Sequence, residues 1–308
     1  MKRLLLVLVL VLALLVSGCA GQDAEGKGPI VVGSKIDTEG SLLSQIIILM
    51  LRDNDFEVVD KSQFGPTSVV RKALESGELD VYPEYTGNGA FFFDEADSDV
   101  WNDARKGYER VKKLDKDTYD IVWLEPAPAN NTWAIAIPSD LAGAEGIDTI
   151  DDFAGYVNGG GYVKLIGSEE FVTSPVALPK FQDVYGFTLS DDQLITVSSG
   201  DTAQTEKAAS EGIDGVNAAM AYGTDGSLSA FGLVVLADPR GAQPVYEPAP
   251  RVRGEIMAEY PEIAGILDPI FQSLDLETLQ TLNGRIAVEG QNAIDVARDY
   301  LTSAGFLP

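Results

Sequence analysis

The sequence predicts an α/β protein built as two lobes. Three observations carry that expectation. The chain's 308 residues suffice for two domains of ordinary size. From Ile30 onward, short apolar runs alternate with amphipathic stretches, as strands and helices do in an α/β chain. A proline-rich segment, Glu125 to Asn131, then divides this alternation into two series. Apolar residues make up 45% and aromatics 8%, the range of a folded globular protein.

In the first series, "IVVGSK" reads as a strand. "TEGSLLSQIIILMLRD" follows as a helix, with Leu42, Leu43, Ile46, Leu49 and Met50 on one face and Thr38 as N-cap. "EVVDKS" and "LDVYPEY" read as strands, separated by the helix "TSVVRKALESG", which Gly77 closes. "DVWNDARKGYERVKKL" is a helix and "YDIVWLE" another strand. In the second series, "TWAIAIP", "YVKLIGS", "QLITVS" and "GVNAAMAY" read as strands, with helices around Thr149 to Tyr156, Ala177 to Tyr185 and Thr202 to Ser210. Beyond "GLVVLADP" the chain reads as helical to its end. With crossovers at Glu125 to Asn131 and at Thr224 to Phe231, residues 29–130 plus 227–308 form lobe one and 131–226 lobe two. A chain that leaves one lobe, builds the second and returns places its site between them.

The N-terminus carries Lys2 and Arg3 ahead of an unbroken apolar run from Leu4 to Val16. That run is too short to span a bilayer as a helix but suits an export signal, assigned to residues 1–18. Val16, Ser17, Gly18 and Cys19 look like a bacterial lipobox, in which the cut precedes a cysteine that carries lipid. Cys19 is the chain's only cysteine, and residues 19–28 read as a polar tether between lipid and domain.

Composition excludes several functions. The 48 acidic residues against 22 basic ones give a formal charge of -26, a field that repels phosphate backbones and argues against nucleic-acid binding. Histidine is absent, which removes Ser-His-Asp and Cys-His catalysis and imidazole metal sites. No catalytic residue, metal or cofactor is expected. The chain reads as a binding protein rather than an enzyme.

In open α/β sheets ligands bind beyond the carboxyl ends of the strands. Lys35 follows the first strand, Tyr85 sits in "YPEYTGNG" after the third, Trp133 opens the second series, and Tyr222 ends "GVNAAMAY". Converging aromatic faces attract quaternary ammonium groups through their quadrupoles, so Tyr85, Trp133 and Tyr222 are candidates for a cage. Each of the three, taken alone, also has the character of a core aromatic. Lys35 is a candidate partner for a ligand carboxylate or, equally, a surface lysine.

The segments "VGSKIDTEG", "SGELDVYPEYTGNGAFFF", "PAPANNTW", "GDTAQTEKAA", "GVNAAMAYGTDG" and "VYEPAPRVR" resemble the OsmF (YehZ)-type osmoprotectant-binding proteins of ABC importers, from about Ile30 to the C-terminus. These belong to a wider group that binds glycine betaine, choline and carnitine. The resemblance implies a type II periplasmic-binding-protein fold of two lobes, each a mixed, mostly parallel sheet flanked by helices. It also implies a quaternary-ammonium ligand passed to a membrane permease with a separate ATPase subunit. By motif, the cage aromatics fall on Tyr85, Trp133 and Tyr222, the carboxylate-holding residues on Lys35 and Asn88, and a backbone carbonyl of the cage on Asn131. Where betaine binders carry a further tyrosine and a clamping arginine, this chain has Ala203 and Ser174. Asp201, beside Thr202 in the "GDTA" loop, reads first as a helix N-cap and, second, as a candidate counter-charge for a ligand cation. Three rivals stay open: a binder of another small zwitterion or amino acid, a sensor without transport, and a hydrolase using Glu84 and Asp225.

Overall fold

The structure, a computed structural model, describes residues 26–96, 98–198 and 202–308. The signal segment, Cys19 and Asp201 lie outside the described residues.

The first sheet is built from β1 (Lys27–Lys35), β2 (Phe56–Gly65), β3 (Val81–Tyr85) and β4 (Ile121–Trp123). The second is built from β5 (Trp133–Pro138), β6 (Leu165–Ser168), β7 (Leu194–Val197), β8 (Ala218–Tyr222) and β9 (Leu233–Val235). A tenth strand, β10 (Pro248–Arg253), returns to the first sheet. The strand orders are β2-β1-β3-β10-β4 and β7-β6-β8-β5-β9. The two orders are equivalent, since in each sheet the first strand after a crossover, β10 or β5, inserts antiparallel between two others. The remaining strands run one way, which makes both sheets mixed and mostly parallel, as expected.

Helices cover both faces. The helix Thr38–Asp53 presents fully buried Leu42, Ile46 and Ile47 to the first core, where Phe271, Leu279 and Val296 of the C-terminal helices meet it. Asp37, not Thr38, caps that helix: its Oδ1 accepts the Gly40 N–H at 2.6 Å. A carboxylate at the N-cap satisfies an orphan donor and meets the positive end of the helix dipole. Lobe two has its own core around Ile135, Phe153, Phe171 and Phe181.

Two boundaries depart from the sequence reading. The strand β10 lies in the stretch beyond "GLVVLADP" that reads as helical, and its prolines, which cannot donate to a ladder, mask it. They still accept: the Leu124 N–H donates to the Pro250 carbonyl at 3.0 Å and the Ala127 N–H to that of Pro248 at 2.9 Å. The expected return at 226/227 also falls too early. β9 pairs with β5, and the Leu236 N–H donates to the Ile135 carbonyl at 2.9 Å, so the chain stays in the second sheet beyond residue 235. The two crossings run side by side further on. There the Asn131 N–H donates to the Tyr246 carbonyl at 2.9 Å, and the Tyr246 N–H to Asn130 Oδ1 at 2.8 Å.

Candidate functional site

A cavity of about 610 Å³ opens where the lobes meet the paired crossings. Lobe one contributes Lys35, Asp37, Glu39, Tyr85 and Asn88; lobe two contributes Thr202, Ala203, Tyr222 and Asp225; the crossings contribute Asn131 and Tyr246. Three of these are tyrosines. Asp37, Glu39 and Asp225 face the cavity against the single cation Lys35, and no arginine lines it among the described residues. A lining of aromatic faces and excess carboxylate suits a cationic group.

Strand register sets the aromatic wall. β3 ends at Tyr85, opposite Pro248 of β10. Tyr246, two residues ahead of Pro248, therefore projects past the strand end onto the turn after Tyr85. Its ring occupies the space a side chain at Gly87 would need, since a Cβ there would lie 2.8 Å from Tyr246 Cδ1. The glycines of "YTGNG" thus serve close approach: Gly89 likewise sits under Trp101, and neither adopts positive φ. Burial first, then the neighbouring Tyr222, pushes the Tyr246 phenol up to about 12, so it stays protonated. On the other side, Tyr222 of β8 stands directly opposite Trp133 of β5, and the Trp133 indole N–H donates to the Tyr222 hydroxyl at 3.0 Å.

Glu39, in the first turn of its helix, is the polar centre. Its carboxylate accepts from the Tyr85 hydroxyl at 2.6 Å, from Asn283 Nδ2 at 2.6 Å and from Asn131 Nδ2 at 3.3 Å. Burial raises its pKa; the bonds from Tyr85, Thr224 and Asn283 offset this only in part, and Asp37 adds to it. Burial, followed by the charge of Glu39, also raises the Tyr85 hydroxyl well above its ordinary value.

Behind this wall lies a buried ionic chain. Lys35 Nζ donates to Glu84 Oε1 at 2.9 Å, and Asn88 Nδ2 to the same oxygen at 2.7 Å. The Tyr85 N–H also reaches it, at 2.8 Å. Glu84 Oε2 accepts from Tyr82 at 3.1 Å, Tyr82 bonds Arg251, and Arg251 pairs with Asp115 at 2.8 Å. Burial works to raise Glu84, but Lys35, Arg251 and the Tyr85 N–H together outweigh it and hold the carboxyl below its ordinary range. Glu84 is fully buried and lies outside the cavity lining, whereas Asp225 lines it, so the two carboxylates do not face a common substrate as a hydrolase pair would.

Of the residues singled out from sequence, Lys35, Tyr85, Asn88, Asn131, Thr202 and Tyr222 line the cavity, with Ala203 among them. Trp133 does not; it stands behind Tyr222, edge-on to Phe171 at 6.3 Å. Ser174 does not either, because it ends the helix Glu169–Thr173 with its N–H donating to the Glu170 carbonyl at 2.8 Å. The residues missed were Asp37, Glu39, Tyr246 and Asn283. Glu39 reads as an ordinary first-turn acid, Tyr246 lies in the stretch beyond "GLVVLADP" that reads as helical, and Asn283 is interior to a distant helix. Among the described residues no cluster of metal-ligating side chains occurs, and no helix is long and apolar enough to cross a membrane.

The fold and cavity define a two-lobed solute-capture protein of the type II periplasmic-binding class. Residues 28–303 match the family model described as the substrate-binding domain of ABC-type glycine betaine transport systems, and the chain belongs to that family. The family is one of transport proteins, not of enzymes. Among relatives, the chain is 52% identical to the glycine betaine-binding protein YehZ of Escherichia coli, over 92% of each chain. It is 34% identical to a glycine-betaine-binding protein of Pseudomonas aeruginosa, over 92% of this chain and 91% of that one. The solved structure of apo YehZ from Escherichia coli superposes with a TM-score of 0.88 at 53% identity, covering 91% of this chain and 99% of that one.

Proposed function

We propose that the protein captures a quaternary-ammonium osmoprotectant, glycine betaine, choline or a choline derivative, outside the cytoplasm and delivers it to the permease of an ABC importer. The observation that carries this reading is the convergence of Tyr85, Tyr222 and Tyr246 on a cavity lined by three carboxylates. A trimethylammonium group cannot donate ordinary hydrogen bonds, so aromatic faces and nearby carboxylates are what can hold it. Membership of the glycine betaine transport family, and two relatives named for that ligand, support the same choice. The missing arginine favours an ammonium over a carboxylate as the principal recognition group. In this reading Lys35, Asn88, Asn131 and Thr202 complete the site, with Glu39 and Asp201 as counter-charges. Ser174 lies outside the cavity lining, and Trp133 fixes Tyr222. The lipobox at Cys19 supports a lipid anchor to a membrane outside the cytoplasm.

The test is titration calorimetry of residues 20–308 against glycine betaine, choline, carnitine and proline betaine, with Tyr246→Ala beside the parent. Binding of at least one ligand is expected, weakened about 3- to 30-fold in Tyr246→Ala from the loss of one desolvated cation–π face. Silence toward every quaternary amine at millimolar concentration would overturn the assignment. Mass spectrometry of membrane-extracted protein checks the diacylglyceryl thioether at Cys19.

A further inference from the structure

The loop after β8, Gly223 to Gly226, lines the cavity for lobe two through Thr224, Asp225 and Gly226, yet it is gripped by lobe one. Gln280, on the helix Leu276–Ala287, donates its side-chain amide to the Gly223 carbonyl at 2.7 Å. Asn283, about one turn further along, donates to the Thr224 carbonyl at 3.0 Å. That helix buries Leu279 and Leu282 in the core of lobe one. Beside these bonds the two backbones touch, and a Cβ on Gly226 would collide with the Gly284 N. We propose that this contact is a pivot between the lobes in addition to the two crossings, and that Gln280 and Asn283 are positioning residues that keep the lobes near the arrangement that binds. Its effect on affinity rests on reading the cavity as a quaternary-ammonium site.

The geometry is that of a pivot. Gly284 is interior to a helix, where glycine is a costly choice, and neither Gly284 nor Gly226 has positive φ, so close approach is what requires them. Without side chains to interlock, the two surfaces can turn against each other. The contact is also narrow: Gly226 lines both the ligand cavity and a second cleft of about 160 Å³ between the helices Ser227–Ala230 and Leu276–Ala287. It lies beside the first crossing, where the Gly223 N–H donates to the Thr132 carbonyl at 3.0 Å and Gly223 packs on the Asn130 carbonyl. A turn about the crossings therefore moves it little.

The bonds that hold it are close to balance. Asn283 Nδ2 donates to Glu39 Oε2 at 2.6 Å as well as to Thr224, and two acceptors on that side allow the amide only one orientation. Its Oδ1 is then buried with no hydrogen-bond partner among the described residues. An unpaired buried carbonyl costs about as much as such hydrogen bonds contribute, so the joint restrains the lobes without locking them.

The experiment compares the parent, as residues 20–308, with Gln280→Met, which keeps the bulk and loses the donor at a position outside the cavity lining. Gln280→Lys, which restores a donor on a long stem, is the control. X-ray scattering is expected to show ligand-free Gln280→Met as more expanded than the parent, and the ligand-saturated forms as alike. Calorimetry should show its Kd raised about 3- to 10-fold, by the same factor for glycine betaine and choline, with Gln280→Lys within twofold of the parent. Unchanged scattering of ligand-free Gln280→Met overturns the pivot, whatever the affinity does. Expansion with a parent-like Kd overturns the positioning role. A parent that binds no quaternary amine overturns the ligand reading instead, and the ligand-free scattering alone then decides the pivot.

Discussion

The buried carboxylate of Glu39 gives the sharpest prediction, because its charge and its hydrogen bonds can be separated. Glu39→Gln removes the charge and keeps the oxygen that accepts from Tyr85, at the loss of the acceptor for Asn283. A cation resting on the Tyr85 face, about 4 Å above the ring, lies roughly 7 Å from the carboxylate beyond the phenol oxygen. At an effective dielectric near 20 that separation is worth ~2.4 kcal/mol, reduced to ~1–2 kcal/mol by salt. The Kd for glycine betaine and for choline should therefore both rise about 5- to 30-fold. Acid should mimic the substitution. Burial raises the Glu39 pKa, so folding disfavours its ionised form. In the ligand-free protein its contribution to stability is complete below the unfolded pKa and is lost as pH rises through the folded one. A bound cation reverses that preference, so affinity should weaken as pH falls through the raised pKa, with proton uptake on ligand release. Calorimetry across pH in two buffers of different ionisation heat measures both effects. If Glu39→Gln bound either ligand as tightly as the parent, and the parent's affinity were flat with pH, Glu39 would be structural rather than a counter-charge.

Two further outcomes concern the frame around the site. Gly226 of lobe two and Gly284 of the helix Leu276–Ala287 meet backbone to backbone, and a Cβ on Gly284 would stand 2.7 Å from the Gly226 carbonyl oxygen. Gly284→Ala should cost about 1–3 kcal/mol of stability, read as a lowered urea midpoint at unchanged m-value. Arg251 is fully buried between Asp115 and Tyr82, so Arg251→Met should destabilise by about 3–5 kcal/mol by removing one of the two arginines that pair with buried Asp115, Arg71 being the other, and Asp115→Asn should recover part of that loss in chemical denaturation.

How much of the site is legible in sequence follows from where each residue sits. Lys35, Tyr85 and Tyr222 end strands, and strand ends in α/β sheets are where loops converge, so position alone nominates them. Glu39 and Asn283 lie 244 residues apart, and nothing local distinguishes either from the other polar residues of amphipathic helices. Their meeting is a product of the C-terminal helices packing on the helix Thr38–Asp53. Tyr246 was hidden by chemistry of the opposite kind: the prolines flanking it mask a central antiparallel strand that accepts bonds without donating all of its own. The lobes were legible from hydrophobic alternation, whereas the return crossing was not, because β9 is only three residues long and a short apolar run before a turn carries little pattern.

The same geography explains why capture of a ligand would be coupled to lobe arrangement. A ligand shifts a conformational equilibrium only by its difference in affinity between the two states. One that touched Tyr85 and Glu39 alone would meet lobe one identically in every arrangement and shift nothing. The coupling must come from Tyr222, Thr202 and Asp225 on the second lobe, with Asn131 and Tyr246 on the crossings as the part of the wall nearest the pivot. Trp133 matters for this reason even though it stands outside the cavity. Its indole N–H orients the Tyr222 ring, so Trp133→Phe, which keeps the packing against Phe171 and removes the donor, should weaken ligand affinity severalfold while leaving the melting temperature of the ligand-free protein nearly unchanged. An affinity equal to the parent's would mean that Tyr222 is held by its strand alone.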